Sequence, residues 1–268
     1  MQKFYCLLPA TLLLFSVSPR VPAEEVTVMI SGGFKAALEK LAPQYEASSG
    51  DTIRLVPGPS MGNSPQAIPS RLARGEKADV VIMVGDALTH LAQDNRLQPG
   101  SRVELADSPV GMVVRQGDPE PNINNAAALR HTLLQARSVA YSDSASGRYV
   151  SGQLFKKLGI EDEMKHKAQM IERIPVASEV ARGKYTLGFQ QVSELLPVAG
   201  VTFIGKLPAD LQYVTRFAGA VTAKADHPRE GKALLAFLSS ASAQNVIQAT
   251  GMVTVSAEQP VTPRDTVR

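Results

Sequence analysis

Two spacings of apolar residues alternate along the chain. "VTVMI" (26–30) is a short apolar run broken only by Thr27, as a buried strand presents. Phe34, Ala37, Leu38, Leu41 and Tyr45 then fall on one face of a helix. "TIRLV" (52–56) predicts a strand, "QAIPSRLARG" a short helix, "ADVVIMV" (78–84) a strand, and "DALTHLAQDNRL" (86–97) a helix capped by Asp86. Strand and helix in strict alternation imply a doubly wound, mostly parallel sheet.

The pattern restarts after residue 108. "VGMVV" (110–114), "SVAYS" (138–142), "YTLGF" (185–189) and "VTFIG" (201–205) read as strands, with helical spacing near 126–136, 147–158 and 176–183. "RFAGAVTA" (216–223) adds a late strand, followed by two helices in "HPREGKALLAFLSS" and "SAQNVIQAT". Two series and a late return predict two α/β lobes with a cleft between them. The first lobe takes residues 24–108 and 215–268, the second residues 109–214. The crossings near Asp107–Val110 and Thr215–Ala218 are the expected hinge.

The N-terminus changes the picture of where the chain works. Lys3, an apolar run from Leu7 to Val17, and "VPA" at 21–23 read as a secretory signal, residues 1–23, cleaved before Glu24. The run is too short for a membrane span of about 20 apolar residues, so no membrane insertion is expected after cleavage. The expected location is the periplasm. The single cysteine, Cys6, lies in that segment, so the remainder has no thiol chemistry. The chain carries 28 basic and 25 acidic residues, and Lys3 and Arg20 belong to the signal, which brings the rest close to balance. No basic block and no Trp are present, which argues against a nucleic-acid partner. A monomer is expected.

Candidate chemistry sits at the predicted strand ends, where open α/β sheets bind ligands. "SGGF" supplies Ser31, Gly32 and Gly33; "PGPSMG" supplies Ser60 and Met61; "SDSASGR" supplies Asp143, Ser144, Ser146, Gly147 and Arg148; "GFQQ" ends in Gln190 and Gln191. Each stretch alone is an ordinary cap or turn. Together they predict hydroxyls, helix N-termini and close-approach glycines around a multi-oxygen anion, with Arg148 holding a carboxylate. Arg173, at the start of a helix, joins this set. The four histidines have no metal-ligand spacing, and Ser31 and Ser60 have no histidine beside them for a triad. Neither a metal nor a cofactor is expected.

These motifs resemble the periplasmic molybdate-binding proteins, a family with a type II periplasmic binding fold. The resemblance implies that Ser31, Ser60 and the Ser146 loop hold an oxyanion. Its helix-start position falls near Arg173 and its ligand tyrosine falls at Gln191, so this chain departs by a glutamine and two arginines. A narrower resemblance, to bacterial aconitate isomerases, covers "TVMISGGFKAA", "IPSRLARGEKADVVIMVG", "VAYSDSASG", "QLFKKLGIE", "MIERIPVASEVARG" and "GFQQVSELLPV". It implies a tricarboxylate partner and a cofactor-free allylic proton shift between trans- and cis-aconitate. Arg148 would stabilise the carbanion-like intermediate, and Asp143, Tyr149 or Glu172 would act as base. Two further readings stand beside it: a receptor delivering a carboxylate or oxyanion to a transporter, and a molybdate or tungstate binder.

Overall fold

The structure is a computed structural model that describes residues 23–255, Arg173 excepted. The expected signal segment therefore lies outside the described residues, save Ala23. In chain order the first elements are β1 (Glu25–Ile30), α1 (Gly32–Ser49), β2 (Thr52–Pro57), α2 (Ile68–Ala73), β3 (Val80–Val84), α3 (Gly85–Gln93) and β4 (Val103–Arg115). Then come α4 (Ala126–Gln135), β5 (Val139–Ser142), α5 (Ala145–Tyr149), a π-helical turn (Val150–Leu154), α6 (Phe155–Lys157), α7 (Glu161–Met164) and β6 (Ala168–Ile171). The chain continues through α8 (Val176–Ala181), β7 (Leu187–Gln191), α9 (Val192–Leu195), β8 (Val201–Lys206), a 3-10 turn (Ala209–Leu211), β9 (Val214–Val221), α10 (Pro228–Leu238) and α11 (Ala241–Gln248).

The strands run in the order β2-β1-β3-β9-β4-β7-β5-β6, and β8 pairs with β4. β1 lies parallel to β2 and β3, and β5 lies parallel to β6 and β7. Between these groups the order is antiparallel: β9 against β3 and β4, and β4 against β7 and β8. The protein is therefore an α/β fold with a mixed sheet flanked by helices. The expectation of mostly parallel sheets holds at the two ends and fails at the junction. There, β4 and β9 return the chain from one group to the other.

Apolar runs explain the central strands. All five residues of β3, and the last five of β1, are buried, as expected where helices cover both faces of a sheet. Phe34, Ala37, Leu38, Leu41 and Tyr45 form the buried face of α1, as the spacing predicts. That helix stops at Gly50, whose φ of 85° suits a residue without Cβ and whose N–H closes on the Glu46 carbonyl. Asp86 is not a cap; it lies in the first turn of α3, and Val84 takes the cap position.

Two main cores form. One joins β1, α1, β3 and α3 to the first part of β4, to β9, and to α10 and α11. The other lies within residues 110–211, with a smaller cluster on Val113, Ala140, Val176 and Leu195. Tyr213 packs against both main cores. β4 is longer than the sequence pattern suggests. Its residues 103–109 pair with β9, and residues 110–115 pair with β7 and β8. Within the β4–β9 pair, Asp107 accepts from Arg216 Nε at 2.6 Å and from Arg216 Nη2 at 2.9 Å. The backbone of Asp107 also exchanges both hydrogen bonds with Val253.

The Asp107 side chain is only 4% exposed, and that of Arg216 17%. Asp107→Asn removes one partner of this two-pronged pair and leaves the guanidinium facing a neutral amide. We expect a loss of about 2–3 kcal/mol in urea unfolding, below the full cost of a fully buried pair because Arg216 keeps some solvent contact. An unchanged midpoint would mean that the pair contributes nothing to the junction.

Candidate functional site

A cavity of about 860 Å³ opens where several strand ends converge. One wall comes from Ser31 to Gly33, from the loop Pro57–Gln66, and from Phe217 on β9. The other comes from Ser142 to Ala145, Arg148, the residues around Glu172, and Gln190, Gln191 and Glu194. The two walls come from the two sheet groups joined through β4 and β9, and Ala145 of the second wall packs into the first core.

Ser31 ends β1 and occupies the cap position of α1 with extended backbone, yet its hydroxyl makes no cap hydrogen bond. The hydroxyl is buried and without a partner, at the mouth of an 18-residue helix whose first turn carries no acid. Such a terminus has N–H groups to offer an anion. Gly32 and Gly33 are required by packing. A Cβ on Gly32 would strike the Glu194 carboxyl, and one on Gly33 the Phe217 ring. Ser60 is buried and accepts from the backbone N–H of Val84 at 3.0 Å, which fixes the β2–α2 loop against β3. Met61 lines the cavity beside it.

The "SDSASGR" segment divides. Ser144, Asp143 and Arg148 face the cavity. Ser146 and Gly147 do not line it, contrary to expectation, because both are buried behind it. The hydroxyl of Ser146 lies 3.1 Å from those of Ser142 and Ser144, which are 2.7 Å from each other, so the three close a ring. Gly147 faces the backbone carbonyl of Ser142 so closely that a Cβ would overlap it. Tyr149 is turned away as well. It is 3% exposed, donates to the Leu211 carbonyl at 2.6 Å, and stacks on Tyr213 with centroids 4.8 Å apart. Burial, reinforced by Asp210, pushes its phenol up to about 12. As a proton acceptor in the cavity Tyr149 is ruled out by this geometry.

Glu172 is exposed and lines the cavity. Arg173 lies outside the described residues. β7 delivers the remaining polar groups. Gln190 accepts from the Val176 N–H at 3.0 Å and so ties β7 to α8. Gln191 is 2% exposed, and its side-chain oxygen is buried without a partner. Three positions on stands Glu194, absent from the sequence candidates. Loss of hydration pushes its carboxyl up to about 7; Gln190 opposes the shift by a hydrogen bond and Asp143 adds to it. The sequence did hold a signal for Glu194. "QVSE" after a strand places an acid in the first turn of the next helix, where it turns back toward the strand end. Ser142, Gln190, Met170 and Ile174 also line the cavity.

Among the described residues no three His, Cys, Asp or Glu side chains gather as a metal site, and no helix is long and apolar enough to cross a membrane. Among the described residues the site is thus a roomy, strand-end cavity with unsatisfied polar atoms, hydroxyls, a free helix terminus and Arg148: the apparatus of a small-solute binder. The sequence profile of the bacterial extracellular solute-binding proteins matches residues 26–253, and the chain belongs to that family.

It is 44% identical over 249 residues to an aconitate isomerase of Pseudomonas sp., covering 92% of this chain and 95% of that one. In structure it is similar to the periplasmic molybdate-binding protein of Azotobacter vinelandii, with a TM-score of 0.69, 20% identity, and coverage of 86% and 100% of the two chains. It is also similar to the sulfate-binding protein SubI of Mycobacterium tuberculosis, with a TM-score of 0.69, 16% identity, and coverage of 87% and 88%.

These findings correct the expectation of an isomerase with Asp143, Arg148, Tyr149 and Glu172 as reacting groups. The similar solved chains include a molybdate-binding and a sulfate-binding protein, and one of the four side chains, Tyr149, is sealed in the core.

The buried wall makes its own prediction. Gly147→Ala places a methyl against the Ser142 backbone, which cannot yield as a flexible side chain would. A loss of about 2 kcal/mol or more is expected, read as a lowered urea midpoint. A variant as stable as the parent would show that the β5–α5 turn has room to open.

Proposed function

We propose that the protein is an exported solute receptor that closes over a small anion bearing several carboxylate or oxyanion groups and presents it to a transporter. The observation that carries this reading is the pair of buried, unpartnered side-chain oxygens, on Ser31 and Gln191, facing one cavity from different cores. Buried polar atoms without partners are costly, and a bound solute would satisfy both at once. Ser60, Ser144 and the α1 terminus add polar contacts. Arg148, exposed on the cavity wall, is the cation that would meet a carboxylate.

Likeness to a protein named for a tricarboxylate favours a polycarboxylate. Likeness to a molybdate-binding protein, 25% identical over 236 residues, supports an inorganic oxyanion as the second reading. In this view the lobes are residues 24–108 with 215–268, and residues 109–214. The antiparallel junction of β4 with β9 supports a hinge near Asp107–Val110 and Thr215–Ala218. The family's extracellular character supports the signal-peptide reading and a periplasmic location.

A thermal-shift panel of trans-aconitate, citrate, fumarate, molybdate and sulfate tests the ligand class. A ligand at a hundred times its Kd adds about 2.7 kcal/mol of stability, which for a chain of this size raises Tm by roughly 5–10 °C. Stabilisation by a polycarboxylate and not by molybdate or sulfate is expected; the reverse would establish the oxyanion reading, and no stabilisation by any would sink the receptor. Arg148→Ala should fold normally and weaken polycarboxylate binding by about 2–5 kcal/mol, with Arg148→Lys restoring part, since an ammonium cannot make the two-pronged contact. Equal binding by all three proteins would remove Arg148 from the site.

A further inference from the structure

Glu194 is out of place in an anion site. It sits in the first turn of α9, with its carboxyl against Gly32 at the opening turn of α1, and lines the same cavity as Ser31 and Gln191. An ionised carboxylate there would compete for the α1 terminus with any bound anion. A protonated one would instead offer an O–H to that anion.

Among the described residues Glu194 has no ion-pair partner. Asp143 on the β5–α5 turn, Arg148 on α5 and Glu172 after β6 share its cavity, giving two further acids and one base. The first turn of α1 has no acid, and Lys35 on the same helix is held by Glu39. β7 contributes only the neutral Gln190 and Gln191 at this end. On β4, Asp107 is paired with Arg216, Glu104 with Arg102, and Arg115 with Asp118. On α8, Glu179 is paired with Arg182 and Lys184.

Resting on the receptor reading, we propose that Glu194 is a proton-carrying ligand group of the cavity, so that the anion is bound together with a proton and released when that proton leaves. An anion seated at the α1 terminus adds negative charge beside Glu194 and favours its acid form further. Loss of hydration in the cavity holds this carboxyl up to about 7, with Asp143 adding to it.

The sign follows. Well below neutrality Glu194 is protonated with or without ligand, and affinity does not depend on it. Above neutrality binding must draw in a proton, and affinity falls as pH rises. The same acid also makes the empty protein less stable as pH rises from its unfolded value toward 7, because the folded state binds the proton more tightly.

Isothermal titration calorimetry with trans-aconitate and with molybdate, in buffers of differing ionisation heat, counts the protons taken up. For the wild-type protein at about pH 8 we expect uptake approaching one proton, and an affinity several-fold to tenfold weaker than at about pH 6. Glu194→Gln should remove that uptake and flatten the pH dependence. Protonation of the ligand itself appears equally in both proteins and cancels in the comparison. Binding with no proton uptake by the wild type, or an unchanged pH slope in Glu194→Gln, would overturn this proposal alone. Absence of binding by either probe and by every anion of the thermal panel, at any pH, would overturn the receptor reading as well. Should the variant be unstable, the wild-type proton count still decides.

Discussion

The arrangement depends on one antiparallel pairing, β4 against β9. β4 gives its first seven residues to β9 and its last six to β7 and β8, so a single strand belongs to both parts of the sheet. Asp107 and Arg216 pin the two strands by a two-pronged contact, and Val253 covers the same point through the backbone. The ends of β1, β5 and β7 converge on one cavity only because this junction sets the two sheet groups facing each other. Ser31 and Gln191, far apart in sequence, meet the same space for that reason.

Most strands of the fold were legible because burial on both faces leaves a nearly unbroken apolar run, as in 26–30, interrupted only by Thr27, and 80–84. Where burial is one-sided or absent the run disappears. β6, "AQMI", has only its last residue buried, and it sits at the end of the strand order. The first half of β4, "VELADSP", carries acids and a proline that disguise it; Asp107 is held by the distant Arg216, and Glu104 by its near neighbour Arg102. The antiparallel junction could not be read from spacing, because strand direction depends on which strand becomes the neighbour. Helix spacing survived better: 147–158 is helical almost throughout, with a π turn that apolar periodicity does not mark.

The site was legible as a set of loops and illegible as a set of directions. Hydroxyls, glycines and Arg148 at strand ends do gather around a cavity. Which side chains face it was decided by features with no local signature. Ser146 and Tyr149 stand one and four positions into the same helix as cavity residues, yet the turn rotates both into the core. Glu194 faces inward by the same rotation acting on α9. The likeness to an enzyme raised an expectation that fold could not carry, since one scaffold hosts many functions and the site alone decides among them.

The path of the chain through the two cores has a consequence for the order in which they are completed. Every residue of the second core lies between Val110 and Leu211, with Tyr213 packed on it. That core has all its material before β9 exists. The first core opens at Val26 but closes only with Phe217–Val221, α10, α11 and Met252. β9 stands between β3 and β4, so the earlier strands cannot form the finished sheet until Val221 has been made. In a chain emerging from its N-terminus, the segment that begins first is thus the segment that folds last. The long sequence separation of those contacts slows that closure further.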